Sequence, residues 1–569
     1  MPLSKKKHTI AWRKKVTTSL KDTLSQAKVS VQLCFLALLF ALLASTVIVI
    51  FRSLLVWLDS ITQTQKFNFT DLIDDWRVLL PIFGAFLIWA IAKMGSKRYK
   101  RMGIAYVLHR VKLHYGKIPL ASAPAQFFQA LFALASQFSV GREGPAIHLG
   151  AVSASVLAEK FKLPDNSVRI MCASGIAAGI SAIFNAPLAA VIFVLEVILR
   201  EYKIHYFFPI AISAICGALS SRLVFGNIHI FDQINVIKIP LSQYPVLAIS
   251  GLILGCVAAL FNFSLLTLTE KSQQWPLVQR LLVAGVLTSI IGLFLPQAIG
   301  SNEHAISEAI QANPSILLLV AILIGKIVAT VAAVGLGIPG GLIGPLYGIG
   351  ALLGAAIALF FQEWFPSMAP FIGLYAIIGM TAMMGVCLSA PLAALVALIE
   401  LSDNTAIILP SMFVIIPAFL VSHQLFNTKS IFFRQLEIMG LGFKVTALNL
   451  GLQKIGVRTT MERNFVIVKN TEQRLLNALK EQNGQPILTY TEEGEVEIIL
   501  LELHSSNTET TLLRKVIKGL PDTCTLSEVY QLLSPLRRGH VFIFEQTSSD
   551  IVGVISWDDL QLEIKSEQI

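Results

Sequence analysis

Charge is what this sequence has least of. Asp, Glu, Lys and Arg make up 14% of its 569 residues, against 54% that are apolar or aromatic. A soluble domain carries about 25% charge, so a soluble enzyme or scaffold is excluded for most of the length. Acid is missing where base is dense. Met1–Lys28 holds Lys5, Lys6, Lys7, Arg13, Lys14, Lys15, Lys21 and Lys28 against Asp22 alone; from Lys93 to Lys117 there are eight basic residues and no acid. The net charge of +10 is therefore a topology signal that places both stretches in the cytoplasm. A nucleic-acid partner is excluded, because no soluble basic domain with interleaved aromatics is present. The six cysteines form no C-x-x-C pair, which argues against a disulfide framework and a zinc site. No small-residue cleavage site follows the basic start, so no signal peptide is expected.

Apolar runs of spanning length recur, as in Val31–Leu58, Val246–Leu268 and Ile316–Val334. They predict a polytopic, all-α integral membrane protein. Composition changes near Gly440, where charge returns. The expected organisation is a basic segment over 1–30, a membrane domain over 31–440 and a small α/β domain over 441–569. In the last, Asn464–Val468, Val496–Leu501 and Val541–Phe544 read as strands and Gln473–Gln482 as a helix.

The membrane part contains an internal repeat, with halves at about 31–225 and 245–440. Asn185-Ala186-Pro187-Leu188-Ala189, ending its helix at Glu196, matches Ser389-Ala390-Pro391-Leu392-Ala393, ending at Glu400. Upstream, Gly141-Arg142-Glu143-Gly144-Pro145 matches Gly341-Leu342-Ile343-Gly344-Pro345. Paired glycine–proline breaks in two halves point to a transport site between them. The sequence leaves open whether the halves are parallel or inverted. Each break frees backbone N–H groups and lets a helix open at Pro145 or Pro345; a helix N-terminus within a bilayer suits an anion.

Glu143 puts a carboxylate at the first break. An ionisable group there is a functional candidate. It competes with an anion for the same N–H groups, and protonation releases it, so occupancy and pH become coupled. Glu196 and Glu400 read as acids at wet helix ends or in packing contacts, and His148 as a satisfied core group. Other classes fit less well. A membrane sensor needs no broken helices, a cation-coupled transporter wants acid at both breaks, and no nucleophile–base pair marks an enzyme.

These strings resemble the CLC family of chloride channels and proton-coupled chloride exchangers. Gly141–Pro145 carries the second family motif in full; Gly341–Pro345 carries the third, with Ile343 in place of Phe. The resemblance covers about Val31 to Leu436. It implies an inverted repeat of short, tilted and broken helices, a homodimer with one pore per subunit, both termini cytoplasmic, and a bacterial inner-membrane location. It also implies chloride as the transported partner and Glu143 as the gate. The implied anion site comprises Met102, Gly103, Ile104, Arg142, Gly144, Pro145, Leu342, Ile343, Gly344 and Phe432.

Three departures matter. Met102 stands where the family has a serine donor, and Phe432 where it has a tyrosine, so the site leans on backbone N–H groups. Val197 occupies the inner proton-relay position, which favours channel-like flow; a proton-coupled chloride or fluoride antiporter is the alternative. Methionine at the first motif also occurs in fluoride-selective relatives, but these usually lack a residue such as Pro145. The tail resembles a degenerate pair of CBS modules. Gly553–Asp559 matches their nucleotide signature, which implies Ser556 and Asp559 as adenine-nucleotide positions, with a structural role weighed above binding. No other cofactor is expected.

Overall fold

The computed structural model describes residues 19, 21–26, 28, 30–62, 76–94, 102–226, 239–300, 302–310, 315–442, 446–481, 485–503 and 510–566. The chain divides into two compact units. One spans Cys34–Leu157 and Arg169–Phe443; the other gathers the described parts of Met1–Leu33, Ala158–Val168 and Lys444–Ile569.

The larger unit is built from helices. Its first half holds α1 (Val31–Thr62), α2 (Leu80–Met94), α3 (Gly103–Leu113), α4 (Ser122–Ala135), α5 (Glu143–Lys160), α6 (Asp165–Phe184), α7 (Pro187–Phe193) and α8 (Ile204–Phe225). The second holds α9 (Tyr244–Ser272), α10 (Leu277–Phe294), α11 (Asn302–Ile310), α12 (Ile316–Gly335), α13 (Ile343–Gln362), α14 (Ile372–Leu388), α15 (Pro391–Ser402), α16 (Ile408–Leu420) and α17 (Ile431–Ile438). Among the described residues, ten helices are long and apolar enough to cross a membrane. Over their most apolar 18 residues α6 and α13 are 94% and 89% buried, against 39% for the helix from Val31, whose higher hydropathy suits contact with lipid.

The two halves mirror one another down to single glycines. A Cβ on Gly150 would stand 2.3 Å from the Gly175 carbonyl oxygen, so α5 and α6 touch backbone to backbone. In the second half a Cβ on Gly350 would meet the Gly379 carbonyl oxygen at the same 2.3 Å, joining α13 to α14. Helices α6 and α14 each stop at a left-handed residue, Asn185 (φ 57°) and Ser389 (φ 56°). Their side chains bond Arg222 Nε at 2.7 Å and His423 Nε2 at 2.8 Å, respectively. Both breaks open their helices two residues earlier than expected, at Glu143 and Ile343. Pro145 and Pro345 therefore sit in the first turn, where a missing N–H costs nothing.

The smaller unit repeats a β-α-β-β pattern. The first copy is β1 (Val466–Ile467), a helix over Glu472–Lys480, β2 (Ile487–Tyr490) and β3 (Val496–Leu503); β4 (Thr510–Val516) then pairs antiparallel with β3. The second is β5 (Lys518–Pro521), a helix over Leu526–Leu533, β6 (His540–Phe544) and β7 (Ile551–Ser556), closed by a helix over Trp557–Ser566. In each copy the first two strands are parallel and the last two antiparallel. The expected strand over Asn464–Val468 shrinks to two residues, both exposed. A strand with neither face buried gains little from extending.

An ionic cluster stitches this unit together. Arg458, almost fully buried, donates from Nε to Asp22 at 2.7 Å and from Nη1 to Asp522 at 2.6 Å, and Lys21 reaches Asp522 at 2.9 Å. Asn166 Nδ2 contacts the carbonyl oxygens of Leu24, Ser25 and Lys454 at 3.1–3.2 Å. Removing one partner from a buried ion pair costs about 3–5 kcal/mol. Arg458→Met is therefore expected to loosen the packing of 21–26 on the tail, read as faster amide hydrogen exchange over both segments. Acid should act the same way. Burial raises the Asp22 pKa, but hydrogen bonds from Arg463 and Arg458 outweigh it and hold the carboxyl below its ordinary 3.8. That contribution exists above the ordinary value and is lost as pH falls through the lowered one.

Candidate functional site

The two breaks meet. Gly141 N–H donates to the Gly341 carbonyl oxygen and Gly341 N–H to that of Gly141, both at 2.8 Å, in an isolated antiparallel bridge. The two backbones thus run in opposite directions where the halves meet. The Glu143 carboxylate lies against both glycines, so a side chain at either would displace it. A Cβ at Gly141 would fall 2.0 Å from Oε2 and one at Gly341 2.0 Å from Oε1.

Glu143 is completely buried. Its Oε1 accepts from the Ile343 N–H, at the start of α13 in the opposite half. Its Oε2 has no hydrogen-bond partner among the described residues. The acid from the first break thus caps the helix of the second. A carboxylate stands where an inorganic anion would be held, because the helix end offers the same N–H donors to either.

Beside it lies a cavity of about 310 Å³. Gly341 belongs to its wall and also touches the Glu143 carboxylate. Met102, Gly103, Ile104, Leu342 and Phe432 line it as well. Residues from the first motif, the third motif and the start of α17 are thereby gathered around one space. Arg142, Gly144, Pro145, Ile343 and Gly344 are not in its wall; they belong to the turns around Glu143. Met102 precedes α3 without a side-chain cap, and Phe432 is 2% exposed and presents only carbon.

Four polar side chains in this wall lie outside the expected site: Gln126 and Gln129 on α4, Arg280 on α10 and Gln435 on α17. Gln126 is buried, and its Oε1 accepts from the Gly103 N–H at 3.0 Å. One expected backbone donor is thus already engaged. The amide Nε2 of Gln126 has no partner among the described residues. Arg280 Nε donates to the Leu336 carbonyl oxygen at 3.1 Å. The only sequence signal for Gln126 and Gln129 was their presence in an apolar segment.

Glu196 and Glu400 form a reciprocal pair. Glu196 accepts from the Leu392 and Ala393 N–H groups at 3.2 and 2.6 Å; Glu400 accepts from Leu188 and Ala189 at 3.0 and 2.8 Å. Each caps the short helix of the other half, a more specific role than an acid at a wet helix end. Val197, 3% exposed, shares the π-helical turn Val194–Leu199 with Glu196. A small cavity of about 30 Å³ is walled by Ile343, Tyr347, Met384, Ala189 and Ala393. It therefore reaches from the donor of Glu143 to residues capped by Glu196 and Glu400. His148 bonds Ser122 Oγ through Nε2 at 2.9 Å, while Nδ1 has no partner among the described residues.

Broken helices that meet as an antiparallel pair, with an acid on the joint and a cavity beside it, define a membrane transport protein. A profile of the voltage gated chloride channel family matches residues 83–423, more than half of the chain. The chain belongs to that family, the CLC proteins. The H(+)/Cl(-) exchange transporter ClcA of Klebsiella pneumoniae is 30% identical over 316 residues, covering 53% of this chain and 66% of that protein. The match thus spans just under two thirds of the relative's length. Among solved structures, a slow cyanobacterial Cl-/H+ antiporter has a TM-score of 0.64 at 23% identity, covering 73% of this chain and 99% of that one. A eukaryotic CLC transporter has a TM-score of 0.63 at 17% identity, covering 93% and 97%. At these identities the structures establish the fold.

Proposed function

We propose that this chain moves chloride across a membrane in exchange for protons, with Glu143 alternately displacing the anion and carrying the proton. The observation behind it is the seat of Glu143, whose carboxylate takes an N–H at a helix start and adjoins a cavity through Gly341. An ionised Glu143 and a chloride ion cannot both occupy that place. Protonation weakens its hold and admits the anion, so the two fluxes are linked at one residue. The relatives named as H(+)/Cl(-) exchangers weigh the same way. Simultaneous recording of chloride efflux and proton movement from proteoliposomes tests it.

Val197 favours the second reading, a channel gated by Glu143, because valine cannot pass a proton. The relatives named as H(+)/Cl(-) exchangers weigh against it; the cavity of about 30 Å³ near Tyr347 is lined almost wholly by apolar side chains and offers no water path of its own.

The anion would rest in the larger cavity, among Met102, Gly103, Ile104, Leu342 and Phe432, below the N–H groups near Arg142, Gly144, Pro145, Ile343 and Gly344. The side-chain donor missing at Met102 and Phe432 is supplied by Gln126 Nε2. A hydrogen bond to a charged group is worth about 1.5–3 kcal/mol. Gln126→Leu is therefore expected to weaken chloride binding about tenfold or more, measured by calorimetry on the full-length chain. Unchanged affinity would remove Gln126 from the site. Fluoride titrated in parallel ranks the two halides, and chloride is expected to bind better.

The working form would be a homodimer in a lipid bilayer, in a bacterial inner membrane, with both termini cytoplasmic. The tail would be a CBS-like pair whose second copy is complete and whose first has β4 in place of its closing helix. Ser556 donates from N and Oγ to Asp559 Oδ2 at 2.9 and 2.6 Å, and Asp559 N–H returns to Ser556 Oγ at 3.1 Å. That is a helix cap closed on itself, which favours a structural role over adenine-nucleotide binding.

A further inference from the structure

Asn262 on α9 has no part in the anion pathway. It is 1% exposed, and neither Oδ1 nor Nδ2 has a hydrogen-bond partner among the described residues. A buried amide in a native protein has partners as a rule, so a group left bare on both sides marks a ligand or water site. Asn262 lines a groove of about 660 Å³ between α9 and the segment from Phe426 to Ile438. Two kinds of residue share this wall. Leu260 and Phe263 are 62% and 69% exposed, on a helix long and apolar enough to face lipid. Thr428, Lys429 and Arg434 bring polar groups and two cations, with Glu270 as the one acid in the wall. Arg434 also pairs with Glu437, yet its side chain remains 45% exposed.

We propose that this groove binds an anionic phospholipid. Lys429 and Arg434 bring two exposed cations to the polar end, beside Glu270 in the wall and Glu437 on Arg434, and these cations suit a phosphate. The apolar end suits acyl chains. Asn262 shares the wall with both chemistries, and its unpartnered amide suits the groups that join them in a lipid. Its Nδ2 donates to an ester carbonyl, and its Oδ1 accepts from a headgroup or glycerol hydroxyl. Eight residues separate Asn262 from Glu270, a rise of about 12 Å along α9, which gives the groove the depth of a headgroup and glycerol backbone. A free phosphate would use only the cationic end and leave Asn262 and the apolar wall unexplained.

The test is binding, so its outcome is independent of the transport reading. The full-length chain in detergent is titrated with phosphatidylglycerol, with phosphatidylcholine of the same acyl chains, and with inorganic phosphate, and retained ligand is read by native mass spectrometry. Phosphatidylglycerol is expected to be retained over phosphatidylcholine. Retention should fall about tenfold or more in the Lys429→Gln/Arg434→Gln double variant, since each cation near an anionic lipid contributes about a kcal/mol. Asn262→Leu should lower retention of both lipids, its folding checked by an unchanged thermal transition. The double variant changes only surface side chains and keeps the proposal testable if Asn262→Leu fails to fold. Equal retention of the two lipids, variants that hold phosphatidylglycerol as the parent does, or its displacement by inorganic phosphate would overturn the proposal.

Discussion

Glu143→Gln is expected to pass chloride at a rate that no longer changes with pH. Glutamine keeps the size of the side chain and leaves an oxygen able to accept from the Ile343 N–H. It removes the charge, and with it most of the advantage over an incoming anion. Charge-assisted hydrogen bonds are worth about 1.5–3 kcal/mol and neutral ones about 0.5–1.5, so the side chain should yield its seat about tenfold more readily. At neutral pH the variant should reach the flux of the parent in acid. Gly341→Ala approaches the same point without touching the acid. Its Cβ would fall 2.0 Å from Glu143 Oε1, so the carboxylate loses its seat while keeping its charge. Chloride flux should again rise at neutral pH, while a titratable group persists elsewhere in the pathway. Chloride efflux measured over a pH series distinguishes the two variants. A parent-like pH profile in Glu143→Gln would remove Glu143 as the gate.

How much of this was legible depended on how far apart in the chain the partners lie. The breaks at Gly141–Pro145 and Gly341–Pro345 were readable, because glycine and proline state their backbone demands locally. The repeat was readable because its two copies share letters. Nothing local announced that Gly141 and Gly341 would bridge with their backbones antiparallel, a pairing across about 200 residues. The roles of Glu196 and Glu400 were hidden for the same reason, since each caps a helix in the opposite half. Gln126 read as one polar residue in an apolar helix; only the approach of α4 to Gly103 gives its carbonyl a partner and leaves its amide without one among the described residues. In the tail, β3 and β6 appeared about where the alternation put them, whereas β2, β5 and β7 were not expected. The edge strand β4 was missed because its sequence, Thr-Thr-Leu-Leu-Arg-Lys-Val, lacks strict alternation and takes its structure from β3.

An imposed chloride gradient is expected to drive protons the opposite way across the vesicle membrane, against their own gradient, with a potassium ionophore carrying the balancing charge. Glu143→Gln should stop the protons and leave chloride flowing, because the shared residue no longer titrates. The harder question is how a proton reaches Glu143 past Val197. Glu196 is the acid next to Val197, on the same π-helical turn. Its carboxylate is bonded to the N–H of Ala393, which itself lines the cavity that also includes Ile343. A positioned proton-transfer group contributes about a hundredfold or more to the rate of its step. Glu196→Gln should therefore cut the proton flux by about that factor while chloride flux changes far less. A cap serving only structure would instead lower both fluxes together, along with the thermal transition. Chloride moving down its gradient with no proton movement in the parent would decide for the channel, and Val197 would then be the reason.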